Sequence, residues 1–306
     1  MTIDLPPLLT SPRDLLGYAG DLPHARWPGG AGIAVSFVVN FEEGSEFSIR
    51  DGDARNEAIH EVSHPLDGPD PCTDTHFAYG TRAGWWRIMD LFDAYGVKAT
   101  ISTCGRAAQR LPGLVRDAVL RGHEVSAHGW RWESHAAMQE DEERATIQRT
   151  IAAISAAAGT RPVGWHTRSA ASANTRRLLV EDGGFLYDSD AYDDDLPYLT
   201  SVAGRRHLVL PYAFDTNDMQ FLNESRFNGR DFADYCNGAF DWLLREGDRR
   251  PRMLSIGLHL RMIGRPGRMG ALEAILAHIA ASGRAWVAPR AAIARHWLTV
   301  VQPPEP

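Results

Sequence analysis

The stretch IAVSFVVNFEEG, residues 33–44, joins a run of apolar residues to a group of polar and acidic ones. Residues 33–39 are rich in β-branched side chains, which predicts a buried strand. Asn40 and Glu42 stand two positions apart, so both side chains point the same way if the strand continues through them. Such a pair at a strand end could bind a metal ion, a water molecule or a polar substrate. Glu43 is predicted to be a solvated loop acid.

Strand-like and helix-like segments alternate from this stretch to the end of the chain. Further strands are predicted at residues 98–104, 123–129, 163–167, 185–190, 207–211, 253–260 and 285–289. Helices are predicted at residues 82–95, 137–158, 174–183, 229–247 and 267–282, together with a helix that is broken near Pro112 and ends at Gly122. About seven or eight β/α units of this kind predict a parallel α/β barrel. Residues 40–80 carry little regular pattern.

The overall composition indicates a single soluble domain. No linker divides the 306 residues, so we predict a single domain over 1–306, with residues 1–30 as an extended Pro- and Gly-rich arm. The net charge is −7 and no basic stripe occurs, so nucleic acid is not an expected partner. The sequence contains no run of 18 apolar residues that would predict a membrane span. Its first residues show no signal-peptide pattern. Three widely spaced cysteines are typical of reduced thiols, so a cytoplasmic location is expected.

Polar side chains follow several of the predicted strands at the point where each strand ends. His128 closes the third strand, His166 and Arg168 end the fourth, and His259 ends a late one. In a parallel barrel the chemistry takes place on the loops at the carboxyl ends of the strands. With Glu42 after the first strand, this convergence identifies Glu42, His128 and His259 as candidate catalytic residues.

The stretch HGWRWESH, residues 128–135, is similar to a metal-binding helical turn with one ligand displaced. Two histidines four positions apart would lie on one helical face, but the fourth position after His128 is Trp132. The next histidine, His135, is seven positions on, and the loop would have to fold back to use it. A metal site needs three or more protein ligands. The stretch therefore supplies one candidate ligand rather than two.

Other polar residues at strand ends are candidates for binding a substrate. Arg168 could donate two hydrogen bonds to a carboxylate or a ureide carbonyl, or pair with a nearby acid. Asn217 follows a strand, and Arg261 belongs to an arginine-rich segment that could clamp a substrate or brace a loop. The acidic segment YDSDAYDDDLPY, residues 187–198, is expected to be structural, with a calcium site as the alternative.

The nucleophile-elbow, P-loop and dinucleotide-binding motifs do not occur in the sequence. Serine-nucleophile and nucleotide chemistry are therefore disfavoured. The remaining prediction is hydrolysis of a C–N or ester bond by a carboxylate and histidines, with or without a metal ion.

The order of these motifs resembles that of the polysaccharide deacetylase (NodB-like) superfamily, and most closely its PuuE-type branch of cofactor-independent allantoinases. The resemblance covers roughly residues 12–298. It is carried by PRDLLGYAGDLPHARWPGGAGIAVSFVVNFEEGSE, YGTRAGWWRIMDLF, GHEVSAHGWRW, YDSDAYDDDLPY, YAFDTNDMQF and GRPGRMGALEAILAHI. One stretch, HTRSAASANT at residues 166–175, departs from the Gly-Arg-Thr-Ser-Pro-like segment of the branch.

The resemblance implies a distorted β/α barrel and a set of site residues. Carried over, Asn40 falls where the superfamily has its base, Glu42 on the metal-binding acid and His128 on the first metal-binding histidine. Trp132 falls on the second histidine, and His259 falls on the late histidine that acts as general acid. The base has become an amide and one ligand has become a tryptophan, so the resemblance implies a former metal motif and no expected cofactor.

The activity implied by the resemblance is ring opening of a cyclic amide or ureide, most specifically of allantoin to allantoate in purine catabolism. Glu42 would activate or position water, alone or with His128, and His259 would protonate the leaving nitrogen or polarise the carbonyl. Substrate contacts are expected from Asn40, Trp132, His166, Arg168, Asn217 and Arg261. The alternatives are a cyclic imide hydrolase of the same branch, a deacetylase that binds zinc through Glu42 and His128, and a non-catalytic binding module that kept the barrel and lost the chemistry. A homotetramer is also implied by the resemblance.

Overall fold

The computed structural model describes residues 13–58, 66–168, 170–222 and 228–301. The first twelve residues of the predicted N-terminal arm, residues 59–65 of the long polar segment and Ser169 lie outside these ranges. Residues 13–27 of the arm contain turns and irregular backbone, and a short 3₁₀ turn follows at Pro28–Gly30. Trp27 is buried and donates a hydrogen bond to the carbonyl of Arg252, so this end of the arm packs on the barrel.

In the part of the chain that the structure describes, nine strands form one sheet. They are β1 (Ile33–Phe41), β2 (Thr100–Thr103), β3 (Glu124–Ala127), β4 (Gly164–Trp165), β5 (Tyr187–Asp188), β6 (Tyr198–Val202), β7 (Arg205–Val209), β8 (Arg252–His259) and β9 (Ala285–Val287). The order is β6-β7-β5-β4-β3-β2-β1-β8, with β9 pairing beside the first residues of β1. All pairs are parallel except β6 with β7. The sheet curls into a half-barrel, so the predicted distorted β/α barrel is confirmed.

Helices cover the outside of this sheet and connect its strands. They are α1 (Pro71–Tyr79), α2 (Trp85–Ala94), α3 (Gly105–Arg110), α4 (Pro112–Leu120), α5 (Glu140–Ala158), α6 (Thr175–Asp182), α7 (Asp218–Leu222), α8 (Gly229–Glu246), α9 (Leu260–Ile263), α10 (Pro266–Ser282) and α11 (Arg290–Val301). Pro112 starts α4, which explains the predicted break in that helix. None of the helices that the structure describes is long and apolar enough to cross a membrane.

Several elements differ from the sequence prediction. The segment 40–80, predicted to lack regular structure, contains α1, whose first turn is capped by the carboxylate of Asp70. A π-turn over Gly80–Gly84 then joins α1 to α2. The strand β6 was not predicted, and it pairs antiparallel with β7 through a turn at Ala203 and Gly204, both with positive φ. The terminal helix α11 was also not predicted.

The strand β1 determines where the polar residues meet. All nine of its residues are buried, because β2 and β8 flank it on either side. The register pairs Asn40 with Ser102 of β2 and with His259 of β8. The carboxyl ends of β1 and β8 therefore lie side by side, and the residues that follow them face a common space.

Two glycines allow the helices around this edge to come close together. A Cβ atom on Gly84 would overlap the carbonyl of Leu260, the first residue of α9, and would lie 3.6 Å from the Cα of Gly264. The next residue of α9 is Arg261. The spacing between the π-turn and α9 thus sets the position of the Arg261 backbone.

The Gly84→Ala substitution is expected to lower the free energy of unfolding by about 1–3 kcal/mol, because the added methyl group overpacks this contact. A matched control is Gly113→Ala in α4, where nothing lies within 4 Å of an added Cβ. That control should be neutral or stabilising by up to about 1 kcal/mol. Urea unfolding of both variants measures the difference, and equal stabilities would contradict the proposed close packing.

Candidate active site

A cavity of about 420 Å³ opens at the carboxyl ends of the strands. Its wall includes all nine residues that the sequence singled out, which are Asn40, Glu42, His128, Trp132, His166, Arg168, Asn217, His259 and Arg261. The wall also includes residues that were not predicted, among them His76, Phe77, Tyr192, Tyr212, Phe214 and Met219. The cavity is of the size that small ligands occupy in proteins. The nine predicted residues therefore line one cavity. The role of each residue remains a prediction.

Glu42 lies at the centre of the polar part of this cavity and is 2% exposed. Its Oε1 lies 3.4 Å from Nε2 of His128 and 3.8 Å from Nε2 of His259. Its Oε2 accepts a 2.9 Å hydrogen bond from Nη1 of Arg261. Burial alone would raise the pKa of Glu42, but the charges of Arg261 and His259 and the hydrogen bond from His128 outweigh it and hold the pKa well below 4.5. Glu42 is therefore ionised at neutral pH.

Glu43 is buried rather than solvated, so the prediction of a solvated loop acid was wrong. Its Oε1 accepts hydrogen bonds from the backbone N–H of Arg261, at 3.2 Å, and from the guanidinium of Arg261, at 3.4 Å. The backbone of Gly80 leaves room for this carboxyl group, because a Cβ on Gly80 would overlap it. Burial, with the charge of neighbouring Glu42, raises the pKa of Glu43 to about 7 despite the presence of Arg261. One guanidinium thus bridges two adjacent acids.

His259 is oriented by Asp218, which the sequence analysis did not select. Oδ1 of Asp218 lies 2.6 Å from Nδ1 of His259, and Oδ2 accepts from the His259 backbone N–H at 2.8 Å. Asp218 is fully buried at the start of α7. A hydrogen bond at Nδ1 leaves Nε2 to face Glu42 and the cavity. In the sequence, Asp218 was marked only by its position after a predicted strand. It lies 41 residues before the histidine that it contacts.

His128 and His166 form a pair of neighbouring imidazole rings in the wall of the cavity. Nδ1 of His128 lies 2.6 Å from the backbone carbonyl of His166, and the two rings stack with centroids 5.1 Å apart. Nδ1 of His128 therefore donates to this carbonyl, and Nε2 faces Glu42. Burial, together with the charges of His128 and Arg290, lowers the pKa of His166 well below 6.5. His166 is thus a neutral ring, with Nε2 3.2 Å from the hydroxyl of Tyr192.

Asn40 is held with its amide nitrogen towards the barrel. Nδ2 donates to the hydroxyl of Tyr212, at 3.2 Å, and to the carbonyl of Leu258, at 3.3 Å. Its Oδ1 is buried and has no hydrogen-bond partner within the part of the chain that the structure describes. Asn217 also reaches Tyr212, at 3.5 Å, while its Oδ1 caps the start of α7 by accepting from the N–H of Met219. Asn40 thus keeps a free acceptor, whereas Asn217 acts mainly as a helix cap.

Trp132 forms the aromatic wall opposite these residues. The ring of Phe77 meets it edge-on at a centroid distance of 5.5 Å. The guanidinium carbon of Arg168 lies 3.5 Å from the Trp132 ring centroid, and that of Arg261 lies 5.2 Å away. Cations over an aromatic face are attracted by its quadrupole. The predicted binding residues Trp132 and Arg168 are therefore in direct contact with each other.

The residues present do not fit the zinc ion that the superfamily resemblance raises through Glu42 and His128. Oε2 of Glu42 is paired with Arg261, and Trp132 has no ligand atom. His135, a possible replacement ligand, is bonded instead to Glu143 at 3.0 Å. Over residues 13–58, 66–168, 170–222 and 228–301, no three or more His, Cys, Asp and Glu side chains are grouped so that they could hold a metal ion.

The acidic segment 187–198 makes structural contacts, as the sequence predicted. Asp188 is fully buried and receives two hydrogen bonds from Arg176, at 2.7 and 2.9 Å, and it also contacts His207 at 2.9 Å. Asp190 accepts from the backbone N–H and the hydroxyl of Thr167, at 2.7 and 2.6 Å. These contacts fix the end of β4, where His166 and Arg168 leave the sheet.

The Glu43→Gln substitution is expected to change how stability depends on pH. A buried acid with a pKa of about 7 keeps its proton in the folded state between pH 4.5 and 7, where the unfolded chain has lost it. The contribution of Glu43 to the free energy of unfolding therefore decreases as the pH rises from 4.5 to 7. When the free energy of unfolding is measured by chemical denaturation from pH 5 to 8, it should fall less in the Gln variant than in the wild type.

A matched control for this measurement is Glu273→Gln on the exposed face of α10, which should keep the wild-type dependence. Parallel curves for the wild type and the Glu43 variant would contradict a raised pKa at Glu43.

Comparison with known proteins identifies the family. The polysaccharide deacetylase family model matches residues 67–187. A Schizosaccharomyces pombe protein with the provisional name polysaccharide deacetylase is 36% identical, over 93% of this chain and 96% of its own length. The PuuE allantoinase crystal structure is 45% identical with a TM-score of 0.90, over 94% of this chain and 98% of that one. A Pseudomonas aeruginosa structure named as a probable polysaccharide deacetylase gives the same values.

These matches agree with the barrel fold and with the motif order that the sequence analysis used. The chain belongs to the polysaccharide deacetylase family, in the branch of the PuuE allantoinase, and is a hydrolase that acts on C–N bonds.

Proposed function

We propose that this protein hydrolyses allantoin to allantoate without a metal ion. The observation that carries this proposal is the position of Glu42, an ionised carboxylate that faces two imidazole Nε2 atoms and is balanced by a buried guanidinium. The likeness to the PuuE allantoinase over almost the whole chain supports the choice of substrate.

Glu42 acts as the base for the attacking water in this proposal. The water oxygen bonds to a ring carbonyl carbon while its proton moves to Oε1 of Glu42. The C–N bond of the ring then breaks, and the leaving nitrogen takes a proton from Nε2 of His259 in its protonated form. Return of the proton from Glu42 to His259 restores both side chains. The sum is addition of one water molecule across the bond, which gives an amide N–H and a carboxylic acid that then releases its proton to become a carboxylate. A positioned general base or acid of this kind contributes about 10²–10⁴-fold to the rate.

Arg261 and Asp218 prepare Glu42 and His259 for these two steps. Arg261 keeps Glu42 ionised but lowers its basicity, so neighbouring groups must assist proton transfer. His128 is suited to that assistance, because its Nε2 is 3.4 Å from the same oxygen. Asp218 holds the ring of His259 with Nε2 towards the cavity.

The substrate ring is proposed to lie against Trp132, with its polar edges on Asn40 and Arg168. The buried Oδ1 of Asn40 can accept a ring N–H, and the guanidinium of Arg168 can donate to a carbonyl or to the new carboxylate. A cyclic imide is the second candidate, because the divergent segment 166–175 supplies His166 and Arg168 to the cavity wall. Compared with allantoin, a cyclic imide has the same reacting C–N bond and fewer N–H groups.

The first test is turnover of racemic allantoin, succinimide and hydantoin, each before and after exhaustive chelation. Allantoin opening that survives chelation is expected. Activity only on succinimide would keep the chemistry and change the substrate. Activity that is lost with the metal and restored by zinc would support the third candidate, a metal-dependent deacetylase, and refute the proposal.

Replacing Glu42 by Gln should lower kcat/KM for allantoin by at least 10²-fold, since the base is lost while the shape of the side chain is kept. Steady-state kinetics measures the loss, and circular dichroism checks that the variant is folded. The exposed Glu273→Gln variant serves as the control with full activity. Wild-type turnover in the Glu42 variant would rule out the assigned base.

A further inference from the structure

His135, the second histidine of HGWRWESH, is fully buried and does not line the cavity. Its Nδ1 lies 3.0 Å from Oε1 of Glu143, and its ring meets Trp165 edge-on at 5.8 Å. Its backbone N–H donates to the carbonyl of Ala170 at 3.0 Å. This histidine therefore joins the loop after β3 to the loop after β4.

Glu143, near the start of α5, is fully buried and receives side chains from both loops. His135 approaches from the first loop. The hydroxyl of Ser172, at 2.5 Å, and the hydroxyl of Thr175 donate to it from the second. Burying a carboxylate costs several kcal/mol unless hydrogen bonds satisfy it, so these contacts hold one another in place. Hydrogen bonds to an ionised acceptor are also stronger than neutral ones.

The same two loops supply the wall of the cavity that is proposed to hold the substrate. Trp132 lies three residues before His135, and Arg168 lies four residues before Ser172. Arg168 and Trp132 are in contact at 3.5 Å on the cavity side. The Glu143 cluster, defined as Glu143, His135, Ser172 and Thr175, thus ties the two loops together behind the contact that faces the substrate.

We propose that Glu143 is a positioning residue, which holds the loops of Trp132 and Arg168 at the separation that admits a flat cyclic amide. This inference rests on the proposed function for its substrate. Glu143 does not touch the cavity, so it acts through Trp132 and Arg168 on binding and not on the chemical step. A loop that is held in its bound form loses less conformational freedom when the substrate binds. Loosening the cluster should therefore raise KM and leave kcat nearly unchanged.

The test compares the Ser172→Ala variant with Ser172→Thr, which keeps the hydroxyl. The Ala variant should raise KM for allantoin about tenfold with kcat within about twofold, and the Thr variant should stay near wild type. Ser201→Ala, an exposed serine on β6, is the control with no expected effect. An unchanged KM in the Ala variant, or a fall in kcat alone, would overturn the positioning role.

The Ser172 hydroxyl also accepts backbone N–H groups of Asn174 and Thr175 at the start of α6, so a second comparison isolates its bond to Glu143. In a Glu143→Gln background, the Ser172→Ala change should raise KM by much less than it does in the wild type, because the two residues act through one contact. Equal effects in both backgrounds would assign the change to the helix cap and overturn the proposal.

Hydrogen exchange at the His135 amide gives a readout that needs no substrate. Because this amide donates to Ala170 of the other loop, Ser172→Ala should speed its exchange, and Ser201→Ala should not. Faster exchange without any turnover of cyclic amides by the wild type would refute the proposed function and leave the loop anchor standing. Unchanged exchange would refute the anchor itself.

Discussion

The buried ion pair between Glu42 and Arg261 is the interaction on which the rest of the site depends. Both residues are 2% exposed, and their charged atoms lie 2.9 Å apart. Removing either partner of such a pair leaves an uncompensated buried charge, at a cost of about 3–5 kcal/mol. The pair can form because β1 and β8 are neighbours, so that the residues just beyond Phe41 and His259 meet.

The surroundings of this pair explain several features that would otherwise be unrelated. Arg261 needs a second acceptor, and Glu43 supplies it to both the side chain and the backbone N–H. Glu43 needs space, and the backbone of Gly80 in the π-turn provides it. Phe77 lies 4.6 Å below the guanidinium carbon and excludes water from one face. Helix α1, the π-turn and α9 are therefore arranged around one cation.

A fixed guanidinium changes the chemistry that a strand-end acid can perform. It neutralises the charge of Glu42 without offering an open coordination position. Under the proposed function, a hydrogen-bond donor therefore activates the carbonyl of the substrate. The candidate donor is Nε2 of His259, which lies on the cavity wall. Under the proposed function, this arrangement favours a ring amide, whose leaving nitrogen stays attached and needs only one proton.

The fold and the position of the site could be predicted from the sequence, but the contacts within the site could not. Periodicity identified β1 and β8, and the rule that chemistry occurs at the carboxyl ends of parallel strands brought Glu42, His128 and His259 together. The burial of Glu43 depends on Arg261, which is 218 residues away in the chain. Asp218 and His259 are likewise linked only by the fold. A local pattern carries no information on pairs at such separations.

The segment HGWRWESH shows how one short stretch can serve two sides of a loop. His128 and Trp132 face the cavity, whereas His135 points away from it and binds Glu143. Gly129, with a φ of 76°, makes the bend that begins this loop, and a Cβ there would lie 3.2 Å from Nε2 of His135. A metal-binding turn would need its histidines on one face. Here the histidines diverge, so the stretch works as a wall of the cavity and as its support.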